Sequence, residues 1–149
     1  MANLHSQATY DAALLLKADA AVGATANGSL ILDVGAGMCK GDVIIDVTAL
    51  EIDSNDESYE IVLQGSSDAN FGTAANVTSL CSVTIGDKVA TRLASGVFQV
   101  GTDDTIGRFT LPFRNERNGT TYRYLRIKTI VVGTIGGDGI TYSAWLAKE

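Results

Sequence analysis

Along most of this chain apolar and polar residues alternate one for one, in short runs broken by Gly, Asn and Asp. In "RFTLPFR", Phe109, Leu111 and Phe113 fall on one side and Arg108, Thr110, Pro112 and Arg114 on the other. A period of two is that of a β-strand, whose successive side chains point to opposite faces. The same period recurs in "YEIVLQG", where Tyr59, Ile61 and Leu63 oppose Glu60, Val62 and Gln64. In "TTYRYLRIKTIVVG", Leu125, Ile127 and Val131 read as core, while Tyr122, Tyr124, Arg126 and Lys128 share the opposite face. "ITYSAWLAK" puts Ile140, Tyr142, Ala144 and Leu146 together. Each strand has one oily face, so sheets must pack on sheets or close into a barrel.

The remaining runs fit that scheme. "SLILDV" (Ser29 to Val34) ends in the glycine turn "GAGMCKG", and "DVIIDVTALEI" (Asp42 to Ile52) follows. The short turn "DSNDES" is expected to join that strand to "YEIVLQG" as a hairpin. "VTSLCSVTIG" (Val77 to Gly86) is a weaker fourth strand, and "GVFQVG" is expected as a strand inside a polar, irregular excursion from Asp87 to Asp104. "GTIGGDG" reads as a flexible hairpin tip. Pro112 has no amide to give a ladder, which places it on an edge strand or at a bulge. The sixteen glycines and single proline suit a sheet with many tight turns. With 149 residues, the chain has the size of one domain, able to bury about two thirds of its unfolded surface. The expected fold is mainly β: a jelly-roll β-sandwich of about eight strands, with an extended N-terminal arm.

That arm is the least regular part. "ATYDAALLLKADAA" contains helix formers, but Ala12 to Leu16 is continuously apolar and leaves no polar stripe for a surface helix. Residues 1–28 are therefore read as an arm laying Leu14 and Leu16 on a neighbour, or as an edge strand. Residues 29–149 form the single domain.

The net charge of −6 argues against general nucleic-acid binding, which needs a basic footprint. From Asp42 to Asp68 every charged residue is acidic, whereas Arg108, Arg114, Arg117, Arg123, Arg126 and Lys128 face only Glu116 across their stretch. Such segments can meet inside a subunit, meet across an assembly, or remain two solvated faces. Cys39 and Cys81 form no C-x-x-C pair, and the N-terminus "MANLHSQATY" lacks the basic start of a signal peptide. No apolar run approaches the roughly 20 residues of a membrane helix. Synthesis in a reducing cytoplasm is expected.

Chemistry is hard to place. His5 is the single histidine, so a cupin-like metal site has no ligand set. "GAGMCKG" has the spacing G-x-G-x-x-x-G and runs into a strand, unlike a phosphate loop. Asp53, Asp56 and Glu57 cluster in a turn, without the burial a catalytic acid needs and without the order of a calcium-binding loop. No catalytic residue, metal or cofactor is assigned, and the chain is expected not to be an enzyme.

"LQGSSDANFG" (Leu63 to Gly72) looks at first like a ligand loop. Gly65 permits the departure from the strand, the polar side chains can satisfy the turn amides, and Phe71 tucks under the corner. Together with "LILDVGAG", "VIIDVTALEIDSNDESYEIVLQGSSDANFG" and "YLRIKTIVVGTIGGDGITYSAWLAK", it resembles the capsid cement, or decoration, proteins of tailed double-stranded DNA bacteriophages. The resemblance covers roughly Leu30 to Phe71 and Tyr124 to Lys148. It implies a jelly-roll subunit, often trimeric, on the outside of an icosahedral head, bridging major capsid proteins against internal DNA pressure. It carries no catalytic residues. Tyr and Arg are favoured at interface centres, which makes Tyr122, Tyr124, Arg126 and Lys128 the expected contact face, with Leu14 and Leu16 in the arm. The competing expectation is a carbohydrate-binding module of the virion surface or tail, using Trp145 or a tyrosine pair.

Overall fold

The computed structural model describes residues 12–54, 56–86, 91–92, 98–99 and 106–148. After a short 3-10 turn at Ala12–Leu14, the strands in chain order are β1 (Leu15–Val22), β2 (Ala26–Asn27), β3 (Leu32–Asp33), β4 (Lys40–Leu50), β5 (Ser58–Ser66) and β6 (Val77–Gly86). They continue with β7 (Thr91–Arg92), β8 (Phe98–Gln99), β9 (Gly107–Arg114), β10 (Glu116–Arg117), β11 (Thr120–Thr121), β12 (Tyr124–Val132) and β13 (Ile140–Lys148). One sheet has the order β1-β13-β4-β9; a second has the order β2-β12-β5-β6, with β3 also on β12. The strand ladders of both sheets are antiparallel. The small pairs β7-β8 and β10-β11 stand apart.

The alternation seen in the sequence forms the core between these two sheets. Leu16, Val43, Ile45, Val47, Phe113, Ile140, Tyr142, Ala144 and Leu146 come from the first sheet; Tyr59, Ile61, Leu63, Ile85, Leu125 and Ile127 come from the second. The result is a β-sandwich in which every long strand contributes its apolar side. Two tyrosines add polar ties within it. The Tyr142 hydroxyl meets that of Thr129 in the opposite sheet, and Tyr59 donates to the Glu51 carbonyl at 2.8 Å.

Burial pushes the pKa of Tyr142 up to about 12, with the Thr129 hydrogen bond opposing. Burial, then the charges of Glu51 and Glu57, push that of Tyr59 up to about 12. A phenol held above its unfolded value favours the fold fully below that unfolded value, about 10. The favour is lost as pH rises through the folded pKa. The sandwich is thus expected to hold to about pH 10 and to unfold as the pH approaches 12. Tyrosinate absorbance and near-ultraviolet circular dichroism should change together. Gradual ionisation of both phenols without loss of structure would contradict their burial.

Three expectations need correction. First, β4 and β5 do not form a hairpin: β4 pairs with β13 and β9, and β5 with β12 and β6. The turn after Leu50 carries the chain from one sheet to the other, which lets both strands face the same core from opposite sides. Second, of "SLILDV" only Leu32–Asp33 is strand. Third, "GTIGGDG" connects β12 in one sheet to β13 in the other and is anchored. The Glu51 carboxylate accepts the amides of Gly136, Gly137 and Gly139, and Asp56 accepts the amide and hydroxyl of Thr134.

The edges of the sheets are poor templates for another strand. β9 bears Pro112, as expected for an edge. β1 has register shifts on both sides of Lys17, whose ammonium turns inward and donates to the carbonyls of Ala18, Ala20 and Tyr142 at 3.1, 2.7 and 2.8 Å. The ammonium also lies 4.3 Å over the Tyr142 ring, and burial lowers its pKa, with the Asp19 charge opposing. Bulges and inward charges of this kind discourage edge-to-edge pairing. On β6, the register shifts opposite Leu63 and Gln64, and Arg117 donates to the Ser79 carbonyl.

Candidate functional site: the outer face of β12

On β12, the residues alternating with the core strip are Tyr124, Arg126, Lys128 and Ile130, all half-buried. Register places Ser66, Gln64, Val62 and Glu60 of β5 beside them in turn. Val62, on this outer face, is only 3% exposed yet lies outside the core cluster.

Arg126 is the best positioned of these side chains. Its Nε donates to Gln64 Oε1 at 3.0 Å, and its guanidinium carbon sits 4.2 Å from the centre of the Phe71 ring. Phe71 is brought there by the loop after β5. Asp68 organises that loop, accepting from Asn70 and Gly72 through its carboxylate (2.9 and 2.8 Å) and from Phe71 through its carbonyl (3.1 Å). The Ser66 hydroxyl accepts the Asp68 amide at 3.0 Å. The amides of Asn70 and Gly72, and to a lesser degree that of Thr73, outweigh burial and hold the Asp68 carboxyl below the usual carboxylate range. So the loop caps itself, as its small polar residues suggested. Phe71, however, packs under Arg126 on the outer face, with a φ of 51°; that conformation is uncommon for a bulky residue.

The other expected contact residues are placed differently. Tyr122 precedes β12 and does not share the face of Tyr124. A Cβ on Gly65 would lie 2.8 Å from the Cβ of Tyr122. Gly65 pairs with core residue Leu125, so that direction is inward. The Tyr122 hydroxyl accepts from Thr78 at 2.9 Å. Leu16 is wholly buried in its own core and Leu14 packs against that core, so Leu16 offers no surface to a neighbour. Of the two forms expected for residues 1–28, the described part contains an edge strand, β1; residues 1–11 lie outside the described residues. Trp145 is half-buried on the outer face of the first sheet, between Leu15 and Ile44 in register.

Some of the oppositely charged residues meet inside the subunit. Arg108 holds Asp46 through two bonds of 2.7 and 2.9 Å across β9 and β4, and Arg123 holds Asp33 through two of 2.8 Å. Other acids close turns. Buried Glu57 accepts the amides of Ser54 and Asp56 at 2.6 and 3.0 Å. Burial pushes its carboxyl up, but hydrogen bonds from the Ser54, Glu57 and Asp56 amides and the Ser54 hydroxyl together hold it below the usual range. Of the "DSNDES" acids, Asp53 and Asp56 are exposed, whereas Glu57 is buried, contrary to the expectation that none is.

Asn115 was not singled out by sequence pattern. It is buried, accepts the Cys39 amide at 2.7 Å, and donates to the Gly37 and Tyr122 carbonyls at 3.0 Å each. It ties the glycine turn to the segment that leads into β12. Burial raises the Cys81 pKa to about 11, which keeps that thiol protonated at neutral pH.

Comparison with known protein families and with characterised proteins gave no match.

Proposed function

We propose that the chain is a structural virion protein that binds the outer surface of an icosahedral phage head. It cements neighbouring major capsid proteins and stabilises the shell against internal DNA pressure. The observation that carries this reading is where the resembling segments fall. They supply β4 and β5 on one side and β12 and β13 on the other, which are neighbours in register: β13 on β4, and β12 on β5. The likeness to cement proteins thus falls on the central strands of both sheets.

The strand orders β1-β13-β4-β9 and β2-β12-β5-β6 support a jelly roll, since the chain passes repeatedly from one sheet to the other in that fold's manner. The blunted edges favour assembly through faces and loops over strand addition. A homotrimer engaging several capsid subunits would raise avidity by about 10²–10⁴ without any single strong contact.

The test is saturation binding of the purified chain to heads of the encoding phage prepared without it. Saturable decoration, together with a higher temperature of DNA release, is the expected result. Failure to decorate, combined with selective binding on a glycan array, would replace this reading by the carbohydrate-binding one.

A further inference from the structure

We infer that the outer face of β12 docks an extended acidic segment of a protein partner, with carboxylates at alternate residues held by Arg126 and Lys128 beside Tyr124. The inference deepens the proposed function and rests on it for the partner's identity, a subunit of the shell.

Charge complementarity argues for this occupant. Arg123 and Arg108 have carboxylate partners in their own chain. Among the described residues Arg126 and Lys128 have none, and the Tyr124 hydroxyl makes no hydrogen bond. Glu60 lies opposite Ile130 on the same face and forms no ion pair with Lys128. Arg126 is also pre-positioned: Gln64 fixes its Nε and Phe71 supports its plane, leaving the two Nη groups for a carboxylate. Burial already lowers its pKa, so part of its water has been removed before any partner arrives.

Spacing narrows the ligand. Arg126 and Lys128 are alternate residues of one strand, about 7 Å apart along it. Acidic residues at alternate positions of an extended segment have the same separation and the same face. A nucleic acid fits less well. A long polyanion meets the field of the whole chain, whose net charge is −6, whereas a short protein segment meets mainly charges within about 8 Å, the screening length of physiological salt.

The test titrates two peptides into the full chain while amide shifts are recorded. One alternates glutamate with threonine; the other carries as many glutamates at every third residue, so that neighbouring carboxylates leave a strand on opposite faces. The alternating peptide is expected to bind about fivefold more tightly and to shift residues 124–128. Lys128→Glu should weaken it about tenfold, and Arg126→Lys, which keeps the charge but loses the fork, by a similar factor. Lys128 makes no side-chain hydrogen bond or ion pair among the described residues, so its variant is expected to fold normally. Equal affinity for both peptides, or binding unchanged in Lys128→Glu, would overturn the inference.

Undecorated heads separate the two claims. If they take up the wild-type chain and the Lys128→Glu, Arg126→Lys double variant equally, the docking face is wrong and the cement function stands. If they refuse the wild-type chain while the peptide preference persists, the cement function is wrong and the acidic docking face stands.

Discussion

Deleting residues 1–20 is expected to unfold the subunit rather than merely loosen its grip on a partner. The deletion removes Leu16, which is 0% exposed at the centre of the core. It also removes most of β1 from its ladder with β13, uncovering the strand that carries Ile140, Tyr142, Ala144 and Leu146. The milder change Leu16→Ala should cost about 2–5 kcal/mol, the usual range for emptying a buried leucine site. That is a large share of the roughly 5–15 kcal/mol by which a domain is stable. Urea unfolding of the point variant and solubility of the truncated chain measure the two effects. A truncated chain that melts cooperatively at the wild-type temperature would show that β1 is dispensable to the core.

Gly133→Ala should be nearly as damaging, for a backbone reason. Gly133 has a φ of 101°, and a Cβ there would lie 2.2 Å from the Asp56 carbonyl oxygen and 2.8 Å from the Glu57 Cα. Both obstacles are main chain, so one connection between the sheets must move. The same shift would disturb the Asp56 bonds to Thr134 and the buried carboxylate of Glu57. A loss of about 3–5 kcal/mol is expected, above the 1–3 kcal/mol of an unfavourable φ alone. Gly35→Ala is the matched control: its φ is 87°, but nothing lies within 4 Å of the added carbon. Equal midpoints for the two variants in urea would contradict a steric cost at Gly133 beyond that of its φ.

Much of the sandwich could be read from period alone. The inward residues of β5, β9, β12 and β13 were named correctly because a half-buried strand writes its two faces into alternate positions. Period does not say which sheet a strand joins, so the short turn between β4 and β5 suggests a hairpin where the chain instead changes sheets. Nor does it reveal distant bonds from side chain to backbone. "GTIGGDG" reads as flexible until Glu51 and Asp56 are seen to hold it. Alternation extended two residues back from the start of β12 puts Tyr122 on the face of Tyr124, but there the chain has not yet entered the strand. Leu16 looked like arm because a continuous apolar run hides the bulges that let β1 bury Leu16 and Lys17 together. For the candidate site, Tyr124, Arg126 and Lys128 were visible in the sequence. The support of Arg126 by Gln64 and Phe71 was not, since it depends on strand register and on a loop folding back. Of "GVFQVG", Phe98–Gln99 is a short strand paired with Thr91–Arg92; the other residues of that excursion lie outside the described residues.

If the chain cements a phage head as proposed, electron cryo-microscopy of the intact virions tests that role most directly. The expected result is repeated two-sheet densities seated on the exterior of the shell, with the Tyr124–Lys128 side of each turned toward a capsid subunit. A bare shell in particles from which no copy of the chain can be recovered would contradict it.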